Sequence, residues 1–425
     1  MKHLRFGFGI LLALTALGQT TSIPQSPVLT LEQALQEAMN NNLSLAAERL
    51  NVSVAEARAI TAKLRPNPVL TVSGQTLNVL GAEYSPNTPF GPNQLNIHTD
   101  MPFERGHKRA ERMAVAAEEK TLAELGVREV MRIVISNVQN AFVDVQQTRE
   151  NLQLAQENLK TLENVVRINE ARLNAGDLAQ VELDRSRVAA LQYRTAVQQA
   201  QLQQDLAKIE LQQAIGRKQK TTDIQVTEEL KRSDVVFSKE ELTRQALIRR
   251  PDYLSDQQLQ ARSRADLRLQ LANGKVDYSI GTEFTRQSAW GISANSMGVY
   301  FSMPLPIFNR NQGEIARAQR EIRLFGARTS ALEGAIQTEV DKAFRQYTFS
   351  RQLLANLEKE MITKAKSVRD TTEYSYKRGE ASLVEYLDAQ RAFNDAMQSF
   401  NDARASYARS LYLLETVSAA TISGS

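Results

Sequence analysis

The chain has 425 residues with no cysteine, 52 basic against 48 acidic side chains, 19 glycines and 11 prolines, so it is neither disulfide-built nor collagen-like and has no thiolate metal site. A mean hydropathy of −0.37 is too polar for a bundle of transmembrane helices. The formal charge of +4 falls to about +2 without Lys2 and Arg5, and the remaining basic residues are interspersed with acids, so the pI of 9.1 gives no argument for nucleic-acid binding.

Lys2, His3 and Arg5 precede an apolar run from Phe6 to Leu17, followed by small and polar residues. This is the layout of a secretory signal over residues 1–23, with a candidate cleavage after Gly18, and it sends the mature chain out of the cytoplasm. The run covers about 18 Å as a helix, short of a ~30 Å hydrocarbon core. No later stretch reaches 18 apolar residues, so any membrane span must be made of strands.

Proline and glycine divide the rest. Six of the 11 prolines lie between Pro66 and Pro102, and none between Phe103 and Arg250. Glycine is absent from Val127 to Ala175 and from Ala335 to Arg378, so each stretch is expected to run as one unbroken helix. Positions 131, 134, 138, 141, 145, 148, 152, 155, 159, 162, 166, 169 and 173 keep a strict 3-4 spacing and are apolar except Thr148 and Asn169. That is a coiled-coil seam, on a helix from about Lys108 to Asn174 that spans on the order of 100 Å.

The chain is also written twice. Leu29-Thr30-Leu31-Glu32 with Ala38 aligns with Phe237-Ser238-Lys239-Glu240 and Ala246. Met101-Pro102 answers Met303-Pro304, Ala141-Phe142 answers Ala343-Phe344, and Gly176 with Val181-Glu182 answers Gly379 with Val384-Glu385. Each half reads as helix, two extended segments, a very long helix, a glycine turn and a returning helix. The expected organisation is a first repeat over 24–216 with strands about 67–77 and 94–103, a linker over 217–237, a second repeat over 238–418 with strands about 275–286 and 296–305, and a tail over 419–425.

The extended segments alternate as barrel strands do. Leu95, Ile97, Thr99 and Met101 point one way while Gln94, Asn96, His98 and Asp100 point the other. Val276, Tyr278, Ile280, Thr282 and Phe284 alternate with Asp277, Ser279, Gly281 and Glu283, and Val299, Phe301 and Met303 with Gly298, Tyr300 and Ser302. Leu70 and Val72 give a weaker version. A half-buried sheet in a soluble domain has the same alternation. In lipid, four strands cannot close a barrel, for which eight is the practical minimum, so the chain must oligomerise. Three copies give twelve strands and four give sixteen, and arithmetic does not choose. The connections over 78–93 and 290–295 are expected as loops on the far side of the membrane.

These residues resemble the TolC-like family of outer-membrane efflux channels over essentially the whole mature chain. The resemblance rests on the duplicated layout, on Arg65-Pro66-Asn67-Pro68 entering the first strand, and on Met303-Pro304-Leu305-Pro306-Ile307-Phe308-Asn309-Arg310 leaving the last. The last phrase, continuing into Asn311-Gln312-Gly313, looks most like the CzcC-type heavy-metal branch. The resemblance implies a mostly α fold with a small β-barrel contribution, forming a homotrimer in the outer membrane of a Gram-negative-type bacterium with a long periplasmic α-barrel. It implies a passive exit duct, not an enzyme, that docks a periplasmic adaptor and an inner-membrane pump and exports heavy-metal cations. A multidrug or protein-export duct of the same fold, and a soluble periplasmic coiled-coil adaptor, stay open as alternatives.

Gly176 and Gly379 fall at the reversal points of two long hairpins, where a left-handed residue lets a helix end. The resemblance makes Asn174, Ala175, Gly176, Arg378 and Gly379 the periplasmic tips that meet the adaptor. Glu385 and Asp388 share a helix face. Read blandly they are solvated; read by resemblance, three-fold repetition makes them carboxylate rings at the tunnel entrance. The resemblance also matches Glu182 to an acid that holds the entrance shut and Tyr376 to a tyrosine hydrogen-bonded to it. The family's gating arginine falls at Ala381, and whether nearby Arg378 substitutes stays open. The only histidines are His3, His98 and His107, so no metal site is expected, and His98 with Asp100 reads as barrel lining. No cofactor is implied. Gly216-Arg217-Lys218 lacks the first glycine of a phosphate loop, and no histidine is set for serine catalysis.

Overall fold

A computed structural model describes residues 28–77, 93–221, 223–226, 229–233, 236–289 and 292–420. The signal segment, most of the 78–93 connection, positions 290 and 291 and the last five residues of the tail lie outside this set. The first half runs β1 (Val28–Leu29), α1 (Leu31–Asn41), α2 (Leu43–Lys63), β2 (Val69–Gln75), β3 (Asn93–Phe103), α3 (Lys108–Asn174) and α4 (Gln180–Ala214). After β4 (Gln225–Val226) the second half repeats it as α5 (Lys239–Arg249), α6 (Pro251–Asn273), β5 (Tyr278–Ala289), β6 (Ile292–Ser302), α7 (Gln312–Asn356), a π-helical turn (Leu357–Met361), α8 (Ile362–Arg378) and α9 (Leu383–Ser418). β5 ends at Ala289 and β6 starts at Ile292, so the second connection is shorter than the 290–295 read from the alternation.

Equivalent positions receive equivalent caps. Thr30 closes a capping box at α1, and Ser238 accepts from the Glu241 amide at α5. His107 and Asn311, immediately before α3 and α7, both adopt left-handed conformations, with φ of 63° and 62°. The 67-residue α3 matches the Lys108–Asn174 helix read from the sequence, and none of its thirteen seam positions is exposed.

The second long helix is not uniform. Val134, Val138 and Val145 of the first core correspond to Ile336, Val340 and Tyr347 of the second, whereas Gly176 corresponds to Gly379, one residue further on than that spacing requires. The π-helical turn lies between these landmarks and accommodates the extra residue by widening one turn instead of breaking the helix.

Each half has its own core. In one, Leu29, Ala34, Val138, Phe142 and Leu211 pack together; in the other, Leu242, Ile336, Val340, Tyr407 and Leu411 do. The 217–237 segment is more than a linker. β4 pairs in parallel with β1, Ile224 and Val226 enter the first core, and Leu230 packs with Val143 and Tyr412 between the halves.

The other four strands form one antiparallel sheet in the order β2-β3-β5-β6, leaving β2 and β6 as open edges. Its register puts Val72, Ile97, Phe284 and Met297 in one row on one face. On the other face Thr71, His98, Glu283 and Gly298 align. There the Tyr300 ring stacks on His98 at 4.3 Å and lies across Gly281, where a Cβ would come within 2.0 Å of it.

Gly216, at the end of α4, has φ +81°, and a Cβ there would sit 2.6 Å from the Asn41 carbonyl oxygen. Gly216→Ala is therefore expected to cost the roughly 1–2 kcal/mol of a left-handed L-residue plus a backbone clash. Gly176→Ala, at φ +82° with nothing within 4 Å, carries the conformational part alone. Thermal unfolding should show the larger loss for Gly216→Ala; equal losses would mean that the Asn41 contact is immaterial.

Candidate functional site

The site forms where the two long hairpins turn. At the first turn the Asp177 amide donates to the Arg172 carbonyl at 2.8 Å and the Gly176 amide to the Leu173 carbonyl at 3.0 Å. At the second, the Glu380 amide donates to Ser375 at 2.9 Å and the Gly379 amide to Tyr376 at 3.0 Å. Both are Schellman closures, with Gly176 and Gly379 at φ 82° and 80°. Asn174, Ala175, Gly176, Arg378 and Gly379 are all exposed, so both turns present free surface.

Behind the turns the hairpins are tied together. Tyr376 on α8 is 3% exposed and packs with Val165, Leu383 and Tyr386, its ring stacked on Tyr386 at 5.4 Å. Its hydroxyl donates to Asn169 Oδ1 on α3 at 2.5 Å, and Asn169 is fully buried. Arg172, one helical turn beyond Asn169, directs Nη1 at the Tyr376 carbonyl at 3.5 Å and holds its guanidinium 5.9 Å from the ring centre. Gly379 leaves room for that arginine, since a Cβ there would lie 3.0 Å from Nη2. Burial pushes the Tyr376 hydroxyl above its ordinary pKa, so it stays a donor.

This differs from the hydrogen bond that the resemblance implied. Tyr376 bonds to Asn169, not to Glu182, because its ring is buried against α3 and α9. Glu182 reaches Tyr376 only through its charge and pairs instead with Arg185 at 3.0 Å. Ala381, where the resemblance places an arginine, packs against the Tyr376 and Tyr386 cluster. Arg378 lies over the Tyr374 ring at 4.6 Å. The arginine at Tyr376 is Arg172, from the other hairpin.

Glu385 and Asp388 lie exposed on one face of α9's first turns. Glu385 is also a capping residue: its carboxylate accepts from the Ser382 amide at 2.7 Å and from the Ser382 hydroxyl at 2.9 Å. Those bonds, the amide first, hold its pKa below the usual carboxylate range. The stability they add is present above the unfolded-state pKa and is lost as pH falls through the lowered folded-state value. Asp388 is the freer acid, with Arg391 3.7 Å away. Among the described residues no cluster of three His, Cys, Asp or Glu is set to hold a metal ion.

Above the turns, α3 meets α9 through polar groups. Gln390 donates to Asn158 at 3.0 Å and to Asn394 at 3.1 Å, Asn394 donates to the Tyr193 hydroxyl at 2.5 Å, and Asn401 donates to Asn151 at 3.0 Å. Asn151, Asn158, Tyr193 and Asn394 line a groove of about 510 Å³ with no charged residue among its described lining.

A sheet with one apolar and one polar face, carried on paired helices of this length, is the build of an outer-membrane channel chain. The sequence matches the outer membrane efflux protein family over residues 34–217 and 242–419, and the chain belongs to that family. It is similar to the cobalt-zinc-cadmium resistance protein CzcC of Cupriavidus metallidurans, at 24% identity over 376 residues, 85% of this chain and 83% of that one. It is also similar to the pyoverdine export outer membrane protein OpmQ of Pseudomonas putida, at 24% identity over 389 residues, 85% of this chain and 80% of that one. The crystal structures of CusC, which concern folding and transmembrane channel formation, match with a TM-score of 0.75 at 18% identity over 93% of each chain. Family and fold are those of passive outer-membrane channels, and channels of this family work as trimers with an adaptor and an inner-membrane pump.

Proposed function

We propose that this chain is the exit duct of a tripartite efflux system. It assembles as a homotrimer in the outer membrane, extends through the periplasm, and receives heavy-metal cations from an inner-membrane pump through an adaptor docked at the Gly176 and Gly379 turns. The observation that carries the reading is the four-stranded sheet, whose edges β2 and β6 have no partner within the described chain. An unpaired edge in lipid costs several kcal/mol per orphan backbone group, so neighbouring copies must supply the missing strands. Apolar residues on the long helices point the same way. Val181, Val188, Leu191 and Leu202 on α4, and Phe349 and Val368 on α7 and α8, stay exposed at roughly coiled-coil spacing and await a neighbouring helix.

The mass of the detergent-extracted particle together with its electron-microscope silhouette tests copy number and rod length. A water-soluble monomer that never enters bilayers would overturn the reading. Metal as cargo rests on the similarity to CzcC and on the exposed Glu385 and Asp388, which three-fold repetition turns into rings attractive to cations. The equal similarity to OpmQ favours a second cargo, pyoverdine. A deletion strain that loses metal tolerance but keeps pyoverdine secretion supports the first; the reverse supports the second.

Glu385→Gln combined with Asp388→Asn should lower cation-over-anion selectivity in single-channel recordings and weaken block by multivalent cations. Unchanged selectivity would remove both residues from the filter.

A further inference from the structure

We propose that a small cavity beside the C-terminal end of α9 recognises the carboxyl terminus of a short peptide. The cavity, about 280 Å³, lies where α3, the corner between α5 and α6, and the end of α9 meet. This is the low end of ligand-site volumes and suits the last residue or two of a peptide better than a drug-sized molecule.

Its lining divides by chemistry. Met131, Ile135, Pro251, and Ala419 and Ala420 just beyond α9 make an apolar floor. Three arginines stand around it, and one is already committed: Arg132 donates to the Thr416 carbonyl at 3.0 Å and pairs with Glu129 at 2.6 Å. Arg128 and Arg249 are exposed and make no ion pair or side-chain hydrogen bond with the described residues. The acid in the lining, Glu415, is neutralised by Lys231 at 2.6 Å. Arg249 also feels the charge of Glu241 at longer range, so the cavity carries two guanidinium groups with no close carboxylate among the described residues.

Gln139 supplies the second, independent constraint. It is 6% exposed, lines the cavity, and donates Nε2 to Glu415 Oε2 at 3.3 Å. A carboxylate only accepts, so this bond fixes which way the amide points. The opposite atom, Gln139 Oε1, is buried with no donor among the described residues. A buried acceptor left unpaired is costly, and a ligand bearing an N–H removes that cost.

An occupant must therefore combine a carboxylate for Arg128 and Arg249, an N–H for Gln139 and a small apolar group for the floor. Inorganic phosphate would satisfy the arginines but set an anion against the Gln139 carbonyl. A fatty acid would leave that carbonyl unpaired. A peptide end meets all three demands through its α-carboxylate, its last amide and a small side chain such as alanine. The inference is independent of what passes through the duct.

The test titrates N-acetyl-alanyl-alanine, and its C-terminal amide as control, into the full-length protein in detergent, read by saturation-transfer NMR. Saturable binding of the acid with a dissociation constant on the order of millimolar is expected, as is usual for so small a ligand, with the amide at least about tenfold weaker. Arg128→Gln with Arg249→Gln should weaken the acid by at least about tenfold. Gln139→Met keeps the length and removes the carbonyl; it should weaken the peptide about threefold or more while leaving butanoate, which has no N–H, unchanged. Equal binding of acid and amide, or parental binding by the double arginine variant, overturns the proposal. Should Gln139→Met fail to fold, the amide and arginine comparisons still decide it.

Discussion

Tyr376→Phe should open the duct. The hydroxyl it removes is the donor to Asn169, and both side chains are buried where α8 meets α3. Asn169 Nδ2 already has no partner among the described residues, so losing the tyrosine leaves the whole amide unsatisfied in the clasped state. Such a loss costs about 1–3 kcal/mol. If widening the entrance separates the hairpins, only the clasped state bears that cost, and the equilibrium moves toward opening by about 5- to 150-fold per subunit. Arg172→Gln should act in the same direction more weakly, because its contact at 3.5 Å is long. Single-channel recordings on Tyr376→Phe, Asn169→Ala and the double variant check this. A double variant no more conductive than either single one places both residues in one contact, and parental conductance in all three would locate closure elsewhere.

The clasp also marks how far the sequence could be read. Strands and long helices were legible because periods of two and of three-to-four persist over many residues, and because a glycine-free stretch has few ways to end. The turns were legible because Gly176 and Gly379 occupy a conformation that other residues enter at a cost. Asn169 was visible, with Thr148, as one of two polar residues in an otherwise apolar seam, which is the signal of a specific polar contact, yet spacing alone could not name its partner on another helix. Arg172 left no such mark, since an arginine near a helix C-terminus is common for reasons of the dipole alone. The π-helical turn was recorded in the one-residue change in repeat spacing between Ala141-Phe142 and Gly176, a quantity that hydrophobic periodicity does not report. The packing of the 217–237 segment was hidden because a strand of two residues has no period.

Met297→Arg should abolish outer-membrane assembly while Ser296→Arg leaves it intact. The residues are neighbours on β6, and both are exposed in the single chain, so packing within the chain cannot tell them apart. The register can. Met297 lies in the row with Phe284, Ile97 and Val72, half-way along the apolar face, whereas Ser296 lies in the row with Thr285, Asn96 and Ser73 on the polar face. An arginine facing lipid near the midplane of a barrel costs about 2–4 kcal/mol, and a trimer carries three of them, for about 6–12 kcal/mol in total. That is comparable to the whole stability of a typical folded domain, about 5–15 kcal/mol. An arginine in the aqueous bore keeps its hydration and adds positive charge, so the Ser296 variant should assemble and conduct cations less readily. The readout is the fraction of protein that resists a carbonate wash and migrates as an oligomer without heating. Loss of assembly in both variants would mean that this strand tolerates no arginine on either face. Normal assembly in both would mean that the apolar face does not meet lipid, and the barrel assignment would fall with it.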